Sequence, residues 1–77
     1  MISDAYEQCR AMIKRINTIL EDQDSAPDTK LLKKALERKL GSLKVLILNF
    51  ELGYDMNEAA YDVLRDTERL LGVGTKA

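Results

Sequence analysis

The chain has 77 residues, 32% of them charged, and a formal net charge of −1. That length fits one domain, and the near-neutral balance excludes the strong basic excess usual in dedicated nucleic-acid or membrane-surface proteins. With one cysteine, Cys9, and no histidine, the chain has no internal disulfide, no Cys/His zinc site and no Ser-His or Cys-His nucleophile pair.

A single core in so small a chain contributes only about 3–5 kcal/mol of net stability. Further stability has to come from close helix packing or from association. The start of the sequence, MISDAYEQCR, is polar within three residues and lacks the apolar region of a signal peptide, so none is expected. The longest apolar run, LKVLILNFEL, is interrupted by Lys44, Asn49 and Glu51 and falls short of the ~20 residues that a membrane span needs. A cytoplasmic setting and no membrane association are the expectations, and the lone thiol is compatible with a reducing compartment.

The first predicted helix covers about residues 4–22. Asp4 and Glu7 have capping-box spacing at its start. Tyr6, Cys9, Ile13, Ile16 and Leu20 form one apolar row, and Ala5, Cys9, Met12, Ile16 and Ile19 a second. Together they make a stripe about 140° wide at ~100° per residue, enough for two neighbours. Glu7, Arg10, Lys14, Thr18 and Glu21 occupy the opposite face.

An acidic joint, EDQDSAPD, follows. Pro27 is tolerated in a first helical turn but not in a helix interior, which makes Ser25 the expected cap of the next helix. Asp22, Asp24 and Asp28 have some of the alternation of a calcium loop. However, Pro27 stands where the loop needs glycine and Lys33 where it needs glutamate, so a solvated capping loop is the reading. No metal or other cofactor is expected.

The second predicted helix runs from about residue 26 to 52. Its core row, Leu32, Leu36, Leu40, Leu43, Ile47 and Phe50, keeps phase through Gly41. Gly41, Val45, Leu48 and Leu52 form a second apolar row on the far side, at spacings of 4, 3 and 4, which is a heptad-like seam. Two readings of this seam compete. Helices 1 and 3 could cover one stripe each, or the seam could be a contact surface for another chain; the second is preferred because one three-helix core already satisfies the other apolar faces. Before Gly41 the helix is basic: Lys30, Lys33, Lys34, Arg38 and Lys39, continued by Lys44, with Glu37 as the one acid inside. Such a face could meet phosphates or an acidic protein, but no aromatic residues interleave for base stacking.

Gly53-Tyr54-Asp55 is a short joint, with Gly53 suited to a left-handed helix terminus and Asp55 to the next cap. So short a connection makes an antiparallel helical hairpin. The third predicted helix covers about residues 56–71, with Met56, Ala59, Ala60, Val63, Leu64, Thr67, Leu70 and Leu71 on one face and Glu58, Asp62, Arg65, Asp66 and Arg69 on the other. The acid ladder Glu58, Asp62, Asp66 reads as a solvated face, because a fold of this size has little room for a cleft that would perturb its pKa values. Residues 72–77 are expected to be a disordered tail.

The fold class is therefore all-α: an antiparallel three-helix bundle with a long central second helix, expected to dimerise. The expected function is non-enzymatic contact with a helical protein or a second copy through Gly41, Val45, Leu48 and Leu52, in the manner of an adaptor, co-chaperone or regulatory accessory protein. No small-molecule substrate is expected. The alternative is a nucleic-acid-associated regulator using Lys30, Lys33, Lys34, Arg38 and Lys44. Cys9, on the core stripe, reads as a buried structural thiol.

Overall fold

Three amphipathic helices of this pattern each have an apolar face to hide, and each packs one such face against the other two helices. The computed structural model describes residues 4–21 and 30–74. Its elements are α1 (Asp4–Glu21), α2 (Lys30–Glu51) and α3 (Asn57–Gly74), and each touches the other two. Among the described residues there is no strand.

α1 buries Ala5, Cys9, Met12 and Ile16, with Ile13, Ile19 and Leu20 partly covered beside them. This is the wide stripe read from the sequence. α2 buries Leu36, Leu43 and Leu46, flanked by Leu32, Leu40, Ile47 and Phe50. Leu46 belongs to neither row assigned from the sequence. It is buried because α1 and α3 both pack on the same arc of α2, which widens that arc by a residue. α3 contributes Ala60, Leu64, Thr67 and Leu71. Ala60 is fully buried while its neighbour Ala59 is exposed, so one alanine rather than two lies at the helix contact. Thr67 is the one buried polar residue of the described core, and its hydroxyl donates to the Val63 carbonyl at 2.7 Å. That local bond lets a hydroxyl sit among apolar groups without an unmet partner.

The ends of the helices follow their capping chemistry. Gly53 has φ +96°; Gly53 N–H donates to the Phe50 carbonyl and Tyr54 N–H to the Asn49 carbonyl, both at 3.0 Å. These paired bonds are the Schellman termination, which needs a left-handed residue at Gly53. Two residues later, Asp55 Oδ1 accepts the Asn57 amide at 3.2 Å and starts α3. α3 runs to Gly74, past the Leu71 end expected from the sequence, so residues 72–74 belong to the helix rather than to a tail. Leu71 is buried and anchors that last turn against the core. The expected start of helix 2 at residue 26, its Ser25 cap, Pro27, and the acids Asp22, Asp24 and Asp28 lie outside the described residues.

Polar contacts on the rim align the helices. The Tyr6 ring meets Phe50 edge-to-face, with centroids 5.7 Å apart and planes at 87°, and its hydroxyl donates to Glu51 Oε2 at 3.0 Å. Tyr61 donates to Asp4 Oδ2 at 3.3 Å. Arg15 bridges to Glu68 at 2.7 Å and Lys39 to Asp66 at 3.9 Å. The Arg15–Glu68 pair is half-exposed, so it adds well under about 1 kcal/mol and fixes register more than stability.

Leu43→Ala should cost about 2–5 kcal/mol, a large part of what a core of this size supplies; thermal denaturation followed by circular dichroism should show the melting temperature lowered by at least about 10 °C. Gly72→Ala should raise stability by about 0.5 kcal/mol in the same assay, because a Cβ there meets nothing within 4 Å and alanine is the better helix former.

Candidate contact site on the outer face of α2

The core arc of α2 contains Leu36, Leu43 and Leu46. At about 100° per residue, Gly41, Val45, Leu48 and Leu52 lie on the opposite side of the cylinder. The structure leaves that side open: Val45 is 58% exposed, Leu48 56% and Leu52 65%, and Gly41 is exposed as well. α1 and α3 therefore do not take one stripe of α2 each. Both sit on the core arc, and the second stripe faces solvent. Leu52 stays in helical register beyond the end of α2, since its amide still donates to the Leu48 carbonyl at 3.0 Å.

Gly41 opens a groove beside the seam. Glu37, Arg38, Gly41, Ser42, Val45 and Leu46 line it from α2 and Val63 from α3, around a volume of about 600 Å3. A Cβ added at Gly41 would meet nothing within 4 Å. Glycine costs about 1 kcal/mol relative to alanine in a helix interior, and no close approach among the described residues requires it there.

Continued toward the N-terminal end of α2, the seam row passes through Arg38 and Lys34 to Leu31, which is 81% exposed. Lys30, Lys33, Lys34, Arg38 and Lys44 are all exposed. Lys39 is not part of that face; it is half-buried and turned to Asp66 on α3. One surface of α2 thus carries a basic half and an apolar half. At its far end stand Glu51 and, in the joint, Asp55, both exposed.

The remaining reactive or concave features are of another kind. Cys9 is fully buried, and burial pushes its thiol above the ordinary cysteine range. A thiol in that state is a packing group rather than a nucleophile. Tyr61 is also held above its ordinary range, first by desolvation and then by the charge and hydrogen bond of Asp4, so its hydroxyl stays protonated as the hydrogen-bond donor of that rim contact. A smaller groove of about 220 Å3 between α1 and α3, floored by Met12 and Leu64, is bordered by Arg15 and Glu68. Asp62 in the acid ladder pairs with Arg65 at 2.9 Å, as a solvated face does. Among the described residues, no group of three or more His, Cys, Asp or Glu side chains could hold a metal ion, and no helix is long and apolar enough to cross a membrane.

The sequence singled out Gly41, Val45, Leu48 and Leu52, and the fold brings them together on one exposed row. It did not reveal the groove, whose Val63 wall comes from α3. No known protein family, curated protein or solved structure matches the chain.

Cys9 should react with an aromatic disulfide reagent at least ~100-fold more slowly in the folded protein than in denaturant, since attack requires an opening that exposes the α1 core. Stopped-flow absorbance at mildly alkaline pH measures this, and a fast native reaction would place Cys9 outside the core.

Proposed function

We propose that this protein is a non-enzymatic interaction module that binds another helix along the outer face of α2. The observation that carries the reading is the exposed row Val45, Leu48 and Leu52 beside the Gly41 groove. Three large aliphatic side chains at heptad spacing, on the side of α2 turned away from its own core, form the pattern by which one helix recognises another. Contiguous apolar exposure on a small chain marks a contact site. Fully burying side chains of this kind stabilises by about 1.5–3 kcal/mol each, which is large beside the stability of a core this small.

The bundle that presents this face alternates in direction. Tyr6 near the start of α1 meets Phe50 and Glu51 at the end of α2, while Asp4 reaches Tyr61 and Arg15 reaches Glu68 on α3. These pairings support an up-down-up arrangement, with α2 antiparallel to both neighbours. In that arrangement α2 is backed along its length and can offer its other side as a rigid rod.

A second reading, nucleic acid on the basic half, rests on the exposure of Lys30, Lys33, Lys34, Arg38 and Lys44. It requires affinity that falls steeply with salt and disappears when Lys34 and Arg38 are reversed in charge.

Leu48→Asp separates the two. The variant should keep the helicity of the parent, because Leu48 lies outside the core, with its melting temperature lowered only by what association contributed, and should lose apolar-dye binding and any concentration-dependent mass. Nucleic-acid binding, measured at low salt by fluorescence anisotropy, would survive that substitution. Unchanged association and dye binding in Leu48→Asp would remove the seam from the function.

A further inference from the structure

Resting on the contact reading above, we infer that the occupant of the α2 seam is a second copy of this chain, paired antiparallel about a two-fold axis that passes between Leu46 and Ile47. The contact row is Lys34, Arg38, Gly41, Val45, Leu48 and Leu52, at alternating spacings of 4, 3, 4, 3 and 4. Two such rows can meet in only a few registers, and the charges on the row and its flank choose among them.

Parallel, in-register pairing sets Arg38 against the partner's Arg38 and Lys34 against the partner's Lys34. That places like charges in the contact row, where they repel and lose solvation. Antiparallel pairing about an axis at Leu43 sets the flanking Lys44 beside the partner's Lys44, and Glu37 beside the partner's Glu51. Those are again like charges.

Antiparallel pairing about the axis between Leu46 and Ile47 has neither fault. Gly41 meets the partner's Leu52 and Val45 meets the partner's Leu48; the same two contacts recur by symmetry, which gives four consecutive apolar layers. Lys44 comes beside the partner's Glu51, also twice. Arg38 comes to the partner's hairpin joint, where Asp55 stands. The interface is isologous: each contact a copy makes, it also receives.

The Gly41 groove fits this register. A knob on one helix enters a hole made by four residues of the other. The hole for the partner's Leu52 is Arg38, Gly41, Ser42 and Val45, and all four are among the residues that line the groove on α2, with Glu37 and Leu46 beside them. The missing side chain at Gly41 is what leaves it open, and Leu52 is the most exposed residue of the apolar seam.

The test is solution mass by light scattering from about 10 μM to about 1 mM, a range in which weak to moderate contacts show. It is run on the parent, Lys44→Glu, Glu51→Lys and the double exchange, with melting curves alongside. The parent should approach twice 8.7 kDa. Each single reversal should weaken the dimer about tenfold or more, and the double exchange should recover most of the loss. If Glu51→Lys disturbs the fold by removing the Tyr6 bond, Lys44→Glu decides alone, since its side chain is exposed and outside the core. A parent that remains at 8.7 kDa throughout would overturn self-pairing and give the seam to a different protein. A dimer indifferent to both reversals, or a double exchange no better than the singles, would overturn the register. The contact reading itself fails only if Leu48→Asp also leaves association and dye binding untouched.

Discussion

Everything in this molecule depends on one arc of α2. Leu36, Leu43 and Leu46 are the buried side chains of that arc, and both α1 and α3 pack on them. A chain of 77 residues cannot afford a second core, so the apolar surface that this arc gathers holds the three helices together. The cost of that geometry is borne on the other side of the same helix. With both neighbours on one arc, the opposite stripe has no helix left to cover it. The exposed seam is thus a direct consequence of the way the core closes.

Sequence periodicity made most of this visible. The double row on α1 matches the buried and half-buried residues of the helix almost one for one, because a wide stripe with no glycine or proline inside it can fold in few other ways. The terminus at Gly53 was legible for an equally local reason: the left-handed position and the following Asp55 cap are set by neighbours within a few residues. The heptad seam was legible too, as a row. Whether α1 or α3 covered it was not, because that depends on which arc of α2 each helix chooses. Leu46 and the groove wall at Val63 were missed for the same reason, since each is defined by a neighbour far away in sequence. The extension of α3 past Leu71 was not legible, because terminal residues are ordered only where something ties them down, and a distant packing neighbour cannot be read from the sequence. Gly72 and Gly74 are poor helix formers, but burial of Leu71 just before them carries the helix on.

The rim chemistry fits a fold that relies on its apolar centre. Arg15–Glu68 and Arg65–Asp62 lie in water, where such pairs contribute little. No buried polar side-chain atom among the described residues lacks a partner, and Thr67 reaches that state through its own helix. Polar groups therefore neither subtract from the core nor add much to it. Net stability stays close to what apolar burial leaves after chain entropy, which is small for a domain of this size.

That margin is why the proposed contact would matter to the fold as well as to recognition. A ligand that binds only the folded form stabilises it by mass action, and a second copy laid along Val45, Leu48 and Leu52 is such a ligand. The seam also shows where affinity would be traded for direction. Leucine at positions 34 and 38 would lengthen the apolar row and strengthen almost any pairing of two α2 helices, in either orientation. Lys34 and Arg38 shorten it to four residues and penalise the parallel arrangement, in which they would face their own copies. Lys44 and Glu51 then separate the two antiparallel registers by the sign of the charge each meets. A row made only of leucine would bind more tightly and choose less. The charges interrupting this one leave a single register in which opposite charges meet and the apolar layers are continuous.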